Sequence, residues 1–149
     1  MVNSWLIILC ALAALLVAWR RAATVSAVSA GTDRMQEIAS YIQEGANAFL
    51  QREYRVLAVF IAILFIVLLL TPGLGFAVAL CFVIGGLFSM AAGYVGMQVA
   101  TRANVRTANA AREGGLNRAL SIAFSGGLVM GLTVVGLGVL GVAVLYMIY

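Results

Sequence analysis

The sequence predicts an all-α, polytopic membrane protein with four transmembrane helices, the second and third extended beyond the bilayer. Three observations carry that expectation. Of 149 residues, 64% are hydrophobic and only 9% are charged, against about 25% charged in an average soluble domain. Charge is absent from residues 1–19, 56–101 and 119–149, and a run of about 20 apolar residues is long enough to cross a bilayer. The charges that exist are gathered into residues 20–55 and 102–118. The length fits one helical bundle with no separate soluble domain.

The first span is expected at about residues 2–19. "AVSAG" at 27–31 has the small residues of a signal-peptide cleavage site, but a signal peptide carries its positive charge before the apolar core. Here Arg20 and Arg21 follow the core, so a retained helix is expected. The second helix should begin at Thr32 or Asp33, with Gln36 three residues after Asp33 at capping-box spacing. Met35, Ile38, Ala39, Ile42, Ala46 and Phe49 fall on one face, and Glu37, Glu44, Asn47 and Gln51 fall away from it. Nothing breaks this amphipathic stretch before the apolar run to Leu70. One helix over 33–70 is therefore predicted, with residues 48–70 in the membrane. Pro72 disfavours helix at Thr71 and ends it. The third helix should start near Phe76, span the membrane over 76–101 and stop at Gly114-Gly115. The fourth span covers 119–147.

Both charged stretches then lie on one side: 20–55, made of the segment between spans one and two (20–47) and the membrane edge of span two, and 102–118, between spans three and four. All nine basic residues are arginine: Arg20, Arg21, Arg34, Arg52, Arg55, Arg102, Arg106, Arg112 and Arg118. By the positive-inside rule that side is cytoplasmic and the amino terminus is outside. Arg20, Arg21, Arg102, Arg106, Arg112 and Arg118 set this topology. Trp5, Trp19, Tyr146 and Tyr149 suit interfacial aromatic belts.

The third helix carries small residues at a 3.5-residue period: Gly86, Ser89, Gly93, Gly96, Ala100, Ala103, Thr107, Ala110 and Gly114. Small residues let helix backbones approach closely in lipid, so a packing seam is expected. The fourth span adds "GLVMG", a GxxxG pair at Gly127 and Gly131. It also holds "GLGVLG", which matches a nucleotide-binding GxGxxG. That chemistry needs a strand before the glycines and a βαβ unit around them, so Gly136, Gly138 and Gly141 read as helix packing.

Catalytic chemistry is narrowly bounded. There is no histidine and no lysine, which excludes histidine catalysis, Schiff bases and histidine-ligated metals. Cys10 and Cys81 lie apart within apolar runs and read as small buried hydrophobes. Asp33, Glu37, Glu44, Glu53 and Glu113 are too dispersed for a metal cluster, and none lies in a span core, where an ion relay would need one. Glu53 is expected to pair with Arg52 or Arg55 at the membrane edge. Arg102 and Arg106, one turn apart, have the spacing to hold an anion, but topology and headgroup contact explain them more simply. No nucleic-acid partner is expected.

Two stretches carry a family resemblance. "MQEIASYIQEGANAFLQREYRVLAVF" (35–60), with Glu44-Gly45-Ala46, Ala48-Phe49-Leu50 and Tyr54, resembles the second helix of membrane-integral, ion-translocating inorganic pyrophosphatases. "GYVGMQVATRANVRTANAAREGGLNRALSIAFSGGLVMGLTVVGLGVLG" (93–141), with Ala103-Asn104 and Arg106-Thr107-Ala108, resembles the third and fourth. The similarity covers residues 30 to 145. It implies homodimeric pumps of about sixteen helices per subunit that hydrolyse pyrophosphate with Mg2+ and move protons or sodium. K+ or Na+ are further ions to consider. Such pumps sit in a bacterial-type plasma membrane or the membrane of an acidic compartment. Their aspartate clusters, lysines and ion gate lie on later, inner helices, and none of those motifs occurs here. The resemblance therefore implies an amino-terminal portion, helices one to four of the outer ring, inactive alone, with no catalytic, substrate or metal residue. Its partners would be the remaining helices, a second subunit and the lipid bilayer. A stand-alone four-helix scaffold or assembly protein is the competing reading. A small exporter or rotor subunit would need a carboxylate within a span, and the sequence places none there.

Overall fold

A computed structural model describes residues 4–148, and all its regular elements are helices: α1 (Ser4–Ala27), α2 (Asp33–Leu70) and α3 (Gly75–Ile148). Each is long and apolar enough to cross a membrane. Val2, at the start of the expected first span, and Tyr149, assigned to an aromatic belt, lie outside the described residues.

α1 does not stop at Trp19. It continues through Arg20 and Arg21 to Ala27, because nothing in "AATVSA" breaks a helix and the Thr24 hydroxyl returns a hydrogen bond to the Arg20 carbonyl at 3.0 Å. α2 has the predicted bounds. Its cap differs from the expected one: Thr32, with extended backbone, takes the N-cap position. The Met35 amide donates to the Thr32 hydroxyl at 3.4 Å. Gln36 therefore falls one position too late for a capping box, and its amide donates to the Gly31 carbonyl at 3.0 Å instead. Asp33 in the first turn suits the positive end of the helix dipole. α2 ends where Pro72 forces Thr71 into extended backbone, and Gly73 and Gly75 turn the chain with positive φ.

α3 has 74 residues, which would reach about 111 Å if straight. It is broken at Gly115, whose φ of 73° and ψ of −173° are not helical. The two arms fold back antiparallel. Phe88 lies against Gly141, Met130 against Gly96, and Ala103 against Gly126. Gly115 thus does the stopping predicted for Gly114-Gly115. Among the described residues, α1 and α2 each pack on α3 and not on each other. α1 lies between the arms: Ala18 packs with Val99 and Val129, and Val25 with Ala103, Ala110, Ala119 and Ile122. α2 runs antiparallel to the first arm, with Ile61 at Gly86 and Tyr54 at Gly93.

The buried residues are small, mostly alanine, valine and glycine. Small residues allow close backbone approach, the form of packing that serves helices in lipid, where hydrophobic burial offers no gain. The large side chains point outward. No residue of the most apolar window of α2 is buried, and Ile63, Ile66, Val67 and Leu70 are exposed. Trp5, Trp19 and Tyr146 also face outward.

A candidate functional site at the arginine-bearing end

Where α1 ends, its last carbonyls have no partner within the helix. Arg106, on the first arm of α3, reaches them. Its Nε donates to the Val28 carbonyl at 2.9 Å and its Nη2 to that of Ser26 at 3.2 Å. Its Nη1 donates back to the Arg102 carbonyl at 2.8 Å. A planar guanidinium with five donors suits this clasp, and its charge sits at the negative end of the α1 dipole. Almost a turn further on, Asn109 is 2% exposed. Its amide donates to the Ser29 carbonyl at 3.5 Å, and its Oδ1 accepts from Arg112 Nη2 at 3.0 Å. Arg112 also meets Glu113 at 3.1 Å. Gly31 crosses directly over Asn109 with φ of 84°; a β-carbon there would come within 2.8 Å of Asn109 Oδ1. Two turns of α3 thus hold the end of α1 and the link into α2.

The other arginines behave differently. Arg20, Arg21, Arg102 and Arg118 are exposed and join no ion pair among the described residues. The pair expected between Glu53 and Arg52 or Arg55 does not form, because helix positions one or two apart point to different faces. Deeper along the same helices, Gln98 donates to Asn47 Oδ1 at 2.7 Å, and the Tyr54 hydroxyl donates to the Met90 carbonyl. Both tie α2 to α3.

The small-residue seam is split between neighbours. Gly86 and Gly93 face α2, whereas Gly96 faces Met130 of the second arm. Ala103 and Ala110 are buried against α1 and the second arm. Ala100 and Thr107 are half-buried, and Ser89 and Gly114 are exposed. The reason is geometric. A 3.5-residue repeat drifts about 20° per heptad on a straight helix, so the four heptads from residue 86 to 114 turn the seam by about 80°. Gly127 and Gly131 face out of the chain, with nothing near a β-carbon; Gly126, Gly136 and Gly141 meet neighbours instead. Asn109 and Gly31 were not singled out in the sequence. The available signal was a lone asparagine between the seam positions Thr107 and Ala110.

Among the described residues, no three histidine, cysteine or carboxylate groups are close enough to hold a metal ion. What the arginine end offers chemically is hydrogen-bond donation, to helix-end carbonyls or to an anion.

Comparison with known proteins adds to this geometry. A family model described as "Inorganic H+ pyrophosphatase" matches residues 12–149. The chain is 50% identical over 125 residues to a Clostridium tetani protein provisionally named a K(+)-stimulated pyrophosphate-energized sodium pump, covering 84% of this chain and 18% of that protein. It is 48% identical over 120 residues to a K(+)-insensitive pyrophosphate-energized proton pump of Methanosarcina mazei, covering 80% of this chain and 18% of the relative. A K(+)-stimulated pyrophosphate-energized sodium pump of Thermotoga maritima is 44% identical over 120 residues, covering 80% and 16% respectively. The chain thus spans less than a fifth of the length of these relatives.

Proposed function

Because this chain belongs to the inorganic H+ pyrophosphatase family, we propose that it is the amino-terminal, supporting portion of a pump that couples pyrophosphate hydrolysis to proton or sodium transport across a membrane. The family match over residues 12–149 carries this reading. In it, the two arms of α3 cross the membrane separately, which gives four spans with the amino terminus outside and the arginines in the cytoplasm. The remaining helices of a roughly sixteen-helix subunit, and a second subunit, complete the assembly.

The residues present do not fit a magnesium site. Asp33 is the one aspartate and the four glutamates are dispersed, whereas Mg2+ needs convergent oxygen ligands. Hydrolysis of magnesium pyrophosphate is therefore assigned to helices beyond this chain, and no chemical step is drawn through these residues. Their role is mechanical: the Arg106 clasp and the small-residue contacts fix three helices against one another.

The experiment is phosphate release from magnesium pyrophosphate, with K+ and Na+ present, by the full-length protein and by residues 1–149, each purified in detergent. Turnover is expected from the full-length protein alone. Turnover by residues 1–149 would put the active site here, and none from the full-length protein would remove the pump assignment.

A further inference from the structure

Beside the Arg106 clasp, a cleft of about 360 Å³ opens between the end of α1, the first half of α2 and the first arm of α3. That volume falls within the range of small-ligand sites. Six polar side chains line it: Ser26, Gln36, Ser40, Gln43, Arg102 and Arg106. None of the lining residues is acidic. α2 presents Gln36, Ser40 and Gln43 to the cleft at one-turn intervals. Glu37 lies outside it and pairs with Arg34 at 2.7 Å.

The donors divide into committed and free groups. Arg106, Gln36 and Ser40 already donate to backbone carbonyls. The Arg102 guanidinium and the Gln43 amide make no side-chain hydrogen bond among the described residues. Two guanidinium groups, one of them free, with neutral donors around them and no carboxylate opposite, match an anion with several acceptor oxygens. Height along the bundle narrows the chemistry. Ala18 packs on Val99, so Arg20 and Arg21 stand level with Arg102, at the inner end of the charge-free stretches. A phosphate can reach that level from the water or as a lipid headgroup.

We propose that this cleft binds a phosphate group, with Arg102 as its principal ligand and Gln43 beside it. The test uses the full-length protein with Ser40→Cys, in nanodiscs, and follows N-ethylmaleimide labelling of residue 40 by peptide mass spectrometry. One arm adds inorganic phosphate to phosphatidylcholine discs. The other compares phosphatidylglycerol discs with phosphatidylcholine discs, without added phosphate. Protection in the first arm identifies free phosphate; protection in the second identifies an anionic headgroup. In the protecting arm, Arg102→Gln should raise the concentration needed by roughly tenfold, the effect of one charge-assisted hydrogen bond. Arg118→Gln, away from the cleft, should leave it unchanged. Arg102 makes no side-chain bond in the fold, so its replacement leaves the packing intact. Equal labelling in every disc and at every phosphate concentration, or protection that survives Arg102→Gln, overturns the proposal.

Discussion

A guanidinium can hold three carbonyl oxygens in one plane, and an ammonium cannot. That difference makes Arg106 testable. Arg106→Gln should lower stability by about 1–3 kcal/mol, since it strips charged donors from the end of α1. Arg106→Lys should recover only part of the loss. A thermal-unfolding midpoint for each purified variant measures this, with Arg118→Gln as the neutral comparison. Full recovery by lysine would mean that charge alone, and not the clasp, secures α1. Gly31 offers a second residue-scale test. Gly31→Ala must adopt φ of 84°, which costs a non-glycine residue about 1–2 kcal/mol, and must also push on Asn109. Adding Asn109→Ala should relieve the contact with that side chain and leave the backbone part and the contact with Met35 Sδ. The two losses should therefore be non-additive. Simple additivity in the same unfolding assay would mean that Asn109 takes no part in the cost.

At the scale of the helix, packing in this protein depends on where small residues point, and neighbouring glycines give opposite expectations. Gly126 faces the Ala103 β-carbon and Gly127 faces nothing in the chain. Gly126→Leu should therefore spread the arms of α3 and lower the unfolding midpoint, while Gly127→Leu should be close to neutral. Equal effects at 126 and 127 would mean that contact between the arms does not depend on this glycine. The same contrast shows what the sequence reveals. Helix α2 was legible to the residue, because Thr32, Asp33 and Pro72 act locally. The end of α1 was not, since a pair of arginines ends an apolar run without stopping a helix. The small residues were only partly legible: Gly86, Gly93, Gly96, Ala103 and Ala110 meet neighbours, Gly127 and Gly131 meet none within the chain, and the partners were not legible at all. A period read from sequence says which residues share a face, and only the accumulated rotation says which neighbour that face meets. For the arginine end, the sequence marked Arg106 by its spacing from Arg102. It did not show that the guanidinium closes on α1, because Val28 and Ser26 are nearly eighty residues away.

For the molecule as a whole, the gathering of all nine arginines into two stretches predicts a topology with a direct readout. Cysteines at positions 74 and 108, labelled with a membrane-impermeant reagent in sealed vesicles, should react from opposite sides. Reaction of both from the same side would rule out the arrangement of spans proposed here. The pattern of contacts also has a bearing on how the protein is made. Because α1 and α2 pack on α3 and not on each other among the described residues, neither has a packing partner within residues 4–70. The two helices must enter the bilayer as separate rods, each stable in lipid through its own backbone hydrogen bonds. Arg106 cannot close on α1 until the chain has grown nearly eighty residues past Val28. These contacts therefore form only once the first arm of α3 has followed α1 and α2, and until that arm arrives the two helices have no partner in each other.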